Sequence, residues 1–337
     1  MYVSALARAK ENTIIGRDGL LRLIDSESSA ILAEYGYVPP SKEELSPEER
    51  NLLLDEAVAL RFDEIEAALP AFDGEEYSIV TPLRYPYDCN NIKWALKCAI
   101  RGIDPDGSFF SLGTLSPEAA AELASGSLKK EDVKPYRKSR TKGLPANMSA
   151  AVKEAREAYA STKNPRIIDL ILDRACYADM LLAAEAMGVP FLTDYVKLKI
   201  DSTNILTALR IYRMYGDNTA RPEELIKDAL LSGGMLDASA LSRGRRSAFE
   251  LIRRDARFER AAALIDTDSL SDAERIIDNV VSNFIISSRR ASFGAEVPLG
   301  FLLGLELSVK NIRIVMAGKD ARLDGATIRE RMRDNYA

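Results

Sequence analysis

Asp201-Ser202-Thr203-Asn204-Ile205-Leu206 is the stretch on which the fold turns. It has two counterparts in the same chain, Asp88-Cys89-Asn90-Asn91-Ile92-Lys93 and Ser308-Val309-Lys310-Asn311-Ile312-Arg313. Their Asn-Ile pairs stand 113 and 107 residues apart, close to a third of the 337-residue chain. Each pair also follows an apolar run that ends in aspartate. Leu52-Leu53-Leu54-Asp55, Arg166-Ile167-Ile168-Asp169 and Arg275-Ile276-Ile277-Asp278 end 36, 35 and 33 residues before Asn91, Asn204 and Asn311. Two signals kept in register over three copies make an internal repeat. It divides the chain into residues 1–113, 114–220 and 221–337.

Asp or Ser three positions before Asn fits either a helix cap or one face of a continuous helix. In the second copy Tyr195, Leu198, Ile205, Leu209 and Tyr212 keep helical spacing across Asp201, and in the third Leu305, Val309, Ile312 and Met316 do the same. These two copies predict continuity. In the first copy Pro86 stands just before Asp88, which suits a helix start there. Buried amides and carboxylates need partners. Asp88, Asn91, Asp201, Asn204 and Asn311 are therefore expected to fix their helices against neighbours, together with Asp169, Asp278 and Arg313. Ser308 replaces the aspartate in the third copy.

Around the repeat the composition is that of a helical protein. Ala (44) and Leu (40) make up a quarter of the chain, against Gly 19 and Pro 14. Alternating strand patterns are nearly missing. Helix starts are marked by Ser46-Pro47-Glu48-Glu49, Ser116-Pro117-Glu118 and Ala220-Arg221-Pro222-Glu223-Glu224, each with proline in the first turn and acids at the helix's positive end. The expected fold is all-α, with three similar helical bundles. Three copies rotated about a common axis would leave a hollow suited to a socket rather than a catalytic cleft.

Several functions are excluded or left without residues. A net charge of -5 argues against general nucleic-acid binding. The longest apolar run, residues 297–305, is far short of the roughly 20 residues a membrane-spanning helix needs. The opening residues carry no apolar core of signal-peptide length, so a cytosolic protein is expected, unless a partner holds it at a membrane. With no histidine, His-dependent triads and most catalytic zinc sites fall away. Cys89, Cys98 and Cys176 form no CxxC motif and are expected to be reduced thiols. Gly318-Lys319 continues with Asp320, and position 313 is Arg, so the phosphate-loop pattern is broken at both ends. Asp169 and Asp173 lie one helical turn apart, but Arg174 follows them, which reads as a salt-bridged face rather than a metal site. No catalytic, cofactor or metal residues are assigned.

Charge is uneven. Residues 42–76 hold twelve acids and three bases; residues 129–142 hold seven bases and two acids; residues 243–260 hold seven arginines and three acids. The basic stretches read either as solvated faces or as docking surfaces for acidic proteins or lipid head groups, with Arg243, Arg245 and Arg246 as candidate contacts. Three functional classes then stand: a socket or spacer, a helical adaptor of an unrelated complex, and an all-helical enzyme using carboxylates or a metal.

The quoted residues, with the opening Tyr2-Val3-Ser4-Ala5-Leu6-Ala7-Arg8-Ala9-Lys10-Glu11 and Leu20-Leu21-Arg22-Leu23, make the chain resemble the C-subunit family of V-type ATP synthases and ATPases, whose eukaryotic counterpart is the d-subunit of vacuolar enzymes. Asp169-Leu170-Ile171-Leu172-Asp173-Arg174 is similar to that family's central signature. The ending Asn311-Ile312-Arg313-Ile314-Val315-Met316-Ala317-Gly318-Lys319, continued by Ile328-Arg329-Glu330-Arg331-Met332-Arg333, is the most specific part. The likeness covers essentially the full length. It implies a funnel of three helical subdomains and no catalysis. It also implies a peripheral place on the cytoplasmic face of the cell membrane, between the central-stalk subunits and the proteolipid rotor ring. There the chain would pass torque that drives proton or sodium-ion transport.

Overall fold

The computed structural model describes residues 1–26, 28–40, 45–69, 78–105, 109–127, 144–215, 221–262 and 270–337. Among the described residues every regular element is a helix. The helix starts read from sequence are formed as capping physics requires. Helix α4 (Pro47–Ala68) opens with a reciprocal box. Glu49 N–H donates to Ser46 Oγ and Ser46 N–H donates to the Glu49 carboxylate, both at 3.1 Å. Helix α6 (Pro117–Ser125) has Ser116 Oγ accepting from Ala119 N–H, and ends on Gly126 at φ 82°, a left-handed turn that glycine adopts without strain. Helix α10 (Arg221–Ala229) carries Pro222, Glu223 and Glu224 in its first turn; Ala220 lies outside the described residues.

The described residues pack as two compact units. The first comprises residues 1–61, 201–230 and 234–337. Its centre is α14 (Glu296–Asp320), on which α1 (Tyr2–Lys10), α2 (Arg17–Asp25), α13 (Leu270–Ser287) and α15 (Gly325–Arg331) pack. The apolar run at 297–305 is buried all round this helix, as a central helix must be. Gly300 and Gly304 permit close approach: a Cβ on Gly304 would stand 2.4 Å from the Tyr336 ring, and one on Gly300 1.8 Å from Ser288 Oγ. The same unit holds α3 (Ser28–Glu34), α11 (Arg245–Arg254) and α12 (Glu259–Ala262).

The second unit comprises residues 62–200 and 231–233. Helix α5 (Thr81–Arg101) packs on α6 and α8 (Arg166–Ala186), and α7 (Ala146–Thr162) on α8. Helix α9 (Pro190–Tyr215) begins in this unit. The helix start suggested at Pro86 is corrected: α5 begins at Thr81 and Pro86 lies inside it. The amide that Pro86 lacks would have bonded four residues back, still within the opening turns of α5. Pro82 already occupies the start, and burial of Leu83, Tyr85, Cys89 and Ile92 holds the segment helical. Asp88 and Asn91 are thus on one continuous helix, as are Asp201 with Asn204 on α9 and Ser308 with Asn311 on α14. All three cysteines are buried.

Candidate functional site

The repeated polar residues build a set of couplers. Asp88 is fully buried on α5. Thr114 N–H and Leu115 N–H donate to its Oδ1 at 2.7 and 2.9 Å, and the Thr114 hydroxyl donates to Oδ2 at 2.6 Å. Burial pushes this carboxyl up to about 6, against the bonds from Thr114 and Leu115 and the nearby Arg84 charge. Asp201 repeats the geometry on α9. Met235 and Leu236 N–H donate to its two oxygens at 3.2 and 3.1 Å, and Arg257 approaches Oδ2 at 3.3 Å. In the third copy the polarity inverts. The Ser308 hydroxyl, which can donate where a carboxylate cannot, bonds the Ile15 carbonyl at 3.2 Å.

Each of these side chains thus meets the backbone of a connecting segment: Asp88 the one ahead of α6, Asp201 the one after α10, and Ser308 the one between α1 and α2.

The asparagines act by a second device. Asn91 Nδ2 donates to the Phe110 carbonyl at 3.0 Å while Phe110 N–H donates to Asn91 Oδ1 at 2.8 Å. Asn311 makes the same two-bond clasp on Arg333, at 3.0 and 2.8 Å. A carboxamide carries one acceptor and one donor end, so it completes both backbone groups of a single residue. Asn204 is equally buried on α9.

Cations that follow the three asparagines form ion pairs with acids on other helices. Asp169 on α8 pairs with Lys97 on α5, and Asp173 with Lys93. Arg210 on α9 meets Glu274 on α13 at 2.8 Å. Arg313 on α14 meets Asp55 on α4 at 2.6 Å. Each of these cations stands two or six positions after Asn91, Asn204 or Asn311. Burial raises the Asp55 carboxyl, and Arg313 opposes that shift. Asp278 works within its own copy and takes Lys310 and Arg333, both at 2.8 Å. Burial alone would raise this carboxyl, but the two cations together outweigh it and hold the group below the ordinary carboxylate range. Arg333 therefore joins Asp278 to Asn311. Asp169 and Asp173 serve two different lysines, and among the described residues no group of acids, cysteines or histidines is arranged to hold a metal ion.

Sequence reasoning missed a buried network. Arg84 is fully buried and donates to Asp63 at 2.8 Å, Glu66 at 3.0 Å and the Leu112 carbonyl at 3.1 Å, with its guanidinium 5.6 Å from the Phe62 ring centre. The signal was an arginine inside the apolar sequence Val80-Thr81-Pro82-Leu83-Arg84-Tyr85, with Asp63 and Glu66 spaced for one face of the preceding helix. The recurrence of Lys97 and Arg210 six residues after an Asn was also readable, though their acid partners were not.

Of the basic candidates, Arg243 is exposed and pairs with Asp237 at 3.1 Å. Arg245 and Arg246 open α11; the former is half-buried, the latter exposed. The basic stretch at 129–142 lies outside the described residues. No helix among them is long and apolar enough to cross a membrane.

Over residues 3–331 the chain matches the family described as ATP synthase (C/AC39) subunit. It is similar to the C-subunit of the V-type sodium ATPase of Enterococcus hirae, with 24% identity over 352 aligned residues that cover 99% of this chain and 98% of the relative. A family match across nearly the whole length, on an all-helical chain, leads to one conclusion: the protein belongs to the C-subunit family of V-type ATPases.

Proposed function

We propose that the chain is a non-catalytic rotor component of a V-type ATP synthase or ATPase. It receives the foot of the central stalk, stands on the membrane proteolipid ring at the cytoplasmic face, and carries torque between them. The three repeats, 1–113, 114–220 and 221–337, are the mechanical segments of this socket.

The observation that carries the reading is the cyclic order of the couplers, together with the family match. Asp88, Asp201 and Ser308 each tie one repeat's long helix to the next repeat's backbone. The pairs Lys97–Asp169, Arg210–Glu274 and Arg313–Asp55 run in the same sense. Torque transmission demands low compliance, and close-packed interiors resist deformation. Oriented polar bonds add resistance to sliding of helix on helix, because a shifted helix leaves buried donors and acceptors unpaired.

The test is co-purification of the full chain with central-stalk subunits and the detergent-solubilised ring, paired with ion uptake by the reconstituted complex. Expected is a complex containing both partners. Without this chain, ATP hydrolysis by the head should persist while ATP-driven ion uptake is lost. Uptake that continues at the normal rate without the chain would refute the role.

A further inference from the structure

Helix α11 carries its arginines on one side. Arg246, Arg253 and Arg254 fall within about 100° of one another at 3.6 residues per turn, and Arg243 lies in the turn just before the helix. Ala248 and Ile252 on the opposite side are buried. The arginine side chains stand in solvent: Arg243, Arg253 and Arg254 are 60%, 54% and 79% exposed, and Arg246 is exposed too. The acids within reach are too few for them. Glu250 is shared by Arg253 at 3.0 Å and Arg254 at 3.9 Å and also feels Arg246, while Asp237 serves Arg243. Even with the Glu223 carboxylate, which stands beside Gly244, four cations face three acids on a chain whose net charge is -5.

The first turn of α11 adds to this imbalance. It holds no acid, and Gly244 gives its amides no side-chain cap, so Arg246 sits at the helix's positive end. Folding gains little from that placement. An approaching carboxylate gains from all of it, since guanidinium forks bind carboxylates in two-point fashion. The stripe itself contains no aliphatic or aromatic residue, whereas helices that settle into a bilayer surface pair basic residues with exposed apolar ones.

We infer that the Arg243–Arg246–Arg253–Arg254 stripe docks against a carboxylate-rich surface of a neighbouring protein of the same ATPase. The inference rests on the rotor role proposed above. Charge steering of this kind fixes orientation and speeds encounter, and it weakens as salt rises.

The test uses the full chain rebinding to the V-type ATPase from which it has been removed, over a series of NaCl concentrations. Two triple variants are compared with wild type: Arg246→Glu/Arg253→Glu/Arg254→Glu, and the same three positions changed to Gln. Circular dichroism checks that both keep wild-type helicity. Expected is wild-type binding that falls with salt, and binding by the Glu variant that is at least about tenfold weaker at low salt with a flattened salt dependence. The Gln variant should lie between them. Wild type that binds alongside a Glu or Gln variant of equal affinity and salt slope would overturn the stripe and leave the rotor role standing. Failure of wild type itself to rebind would count against the role and the inference with it. A parallel arm measures sedimentation with phosphatidylcholine vesicles containing phosphatidylserine. Loss of vesicle binding in the Glu variant, with rebinding to the ATPase intact, would make lipid the occupant and refute the proposal.

Discussion

Arg313 and Asp55 meet at 2.6 Å although 258 residues separate them in the chain. Arg313 stands two positions after the asparagine of the third repeat, and Asp55 closes the apolar signal of the first. Arg50 and Asp320, also at 2.6 Å, bridge the same two helices. Helix α14 is thus pinned to α4 by two ion pairs.

A double-mutant cycle should detect the pinning. Arg313→Ala and Asp55→Ala, alone and together, are expected to show a coupling of about 1 kcal/mol in urea unfolding, the upper end for pairs at the solvent edge. The fully exposed Arg22–Glu34 pair serves as the comparison and should couple more weakly. Equal coupling in the two cycles would remove the special standing of Arg313.

Asp88 should make stability depend on pH in the direction opposite to a salt-bridged aspartate. Its folded-state value of about 6 lies above the ordinary value of ~3.9. Between those values the folded chain holds a proton that the unfolded chain has lost, so this residue's contribution improves as pH falls from 7 to 4 and is lost as pH rises through 6. Asp88→Asn keeps an acceptor for Thr114 and Leu115 N–H and offers Thr114 Oγ1 a donor instead. The variant should fold, and the wild-type-minus-variant stability should shift by roughly 1–3 kcal/mol in favour of wild type between pH 7 and 4. A flat difference curve would refute the assignment.

The asparagine clasps predict local as well as global effects. Asn91→Ala should leave both backbone groups of Phe110 without their side-chain partner, and Asn311→Ala those of Arg333. Each substitution is expected to cost about 1–3 kcal/mol, since Phe110 and Arg333 are half-buried and water can replace part of what is lost. Amide exchange should rise at Phe110 in the first variant and at Arg333 in the second. Faster exchange spread evenly over the chain would deny a local clasp.

Gly304 tests the packing of α14. An added methyl would overlap the Tyr336 ring, so Gly304→Ala should destabilise by roughly 1–3 kcal/mol despite alanine's better helix propensity. Gly304→Ala with Tyr336→Leu should recover part of the loss in thermal unfolding, and no recovery would place the clash elsewhere.

Much of this was readable in the sequence because side chains announce themselves. Ser46 and Glu49 gave the box that opens α4, and Ser116 with Pro117 gave the start of α6. Asn91 and Asn311 were recognisable as residues needing partners. What they bond was not, since the Phe110 and Arg333 groups they clasp are backbone, which every residue has. Pro86 misled because proline signals a helix start only where nothing upstream competes, and Pro82 with buried Leu83 and Tyr85 did. Arg84 hid among apolar neighbours, where composition counts it as a surface charge. The acids of the ion pairs sit 72–80 positions from their lysines in the case of Lys97 and Lys93, a separation at which single-sequence periodicity carries no information.

The packing of α1 and α2 on α14 bears on how the polypeptide is made. Arg8 bonds the carbonyls of Ser288, Arg289 and Ala291, and Tyr336 reaches Glu11. Helix α2 can settle early on α3, but the α14 surface that α1 and α2 share is absent until α14 itself has been synthesised. Apolar side chains of α2, Leu20, Leu23 and Ile24, reach full burial only after that. Contacts so distant in sequence slow folding and leave nascent apolar surface prone to aggregation. A chaperone that shields α1 and α2 until α14 is made should raise the yield of correctly folded protein more than one that acts only after release.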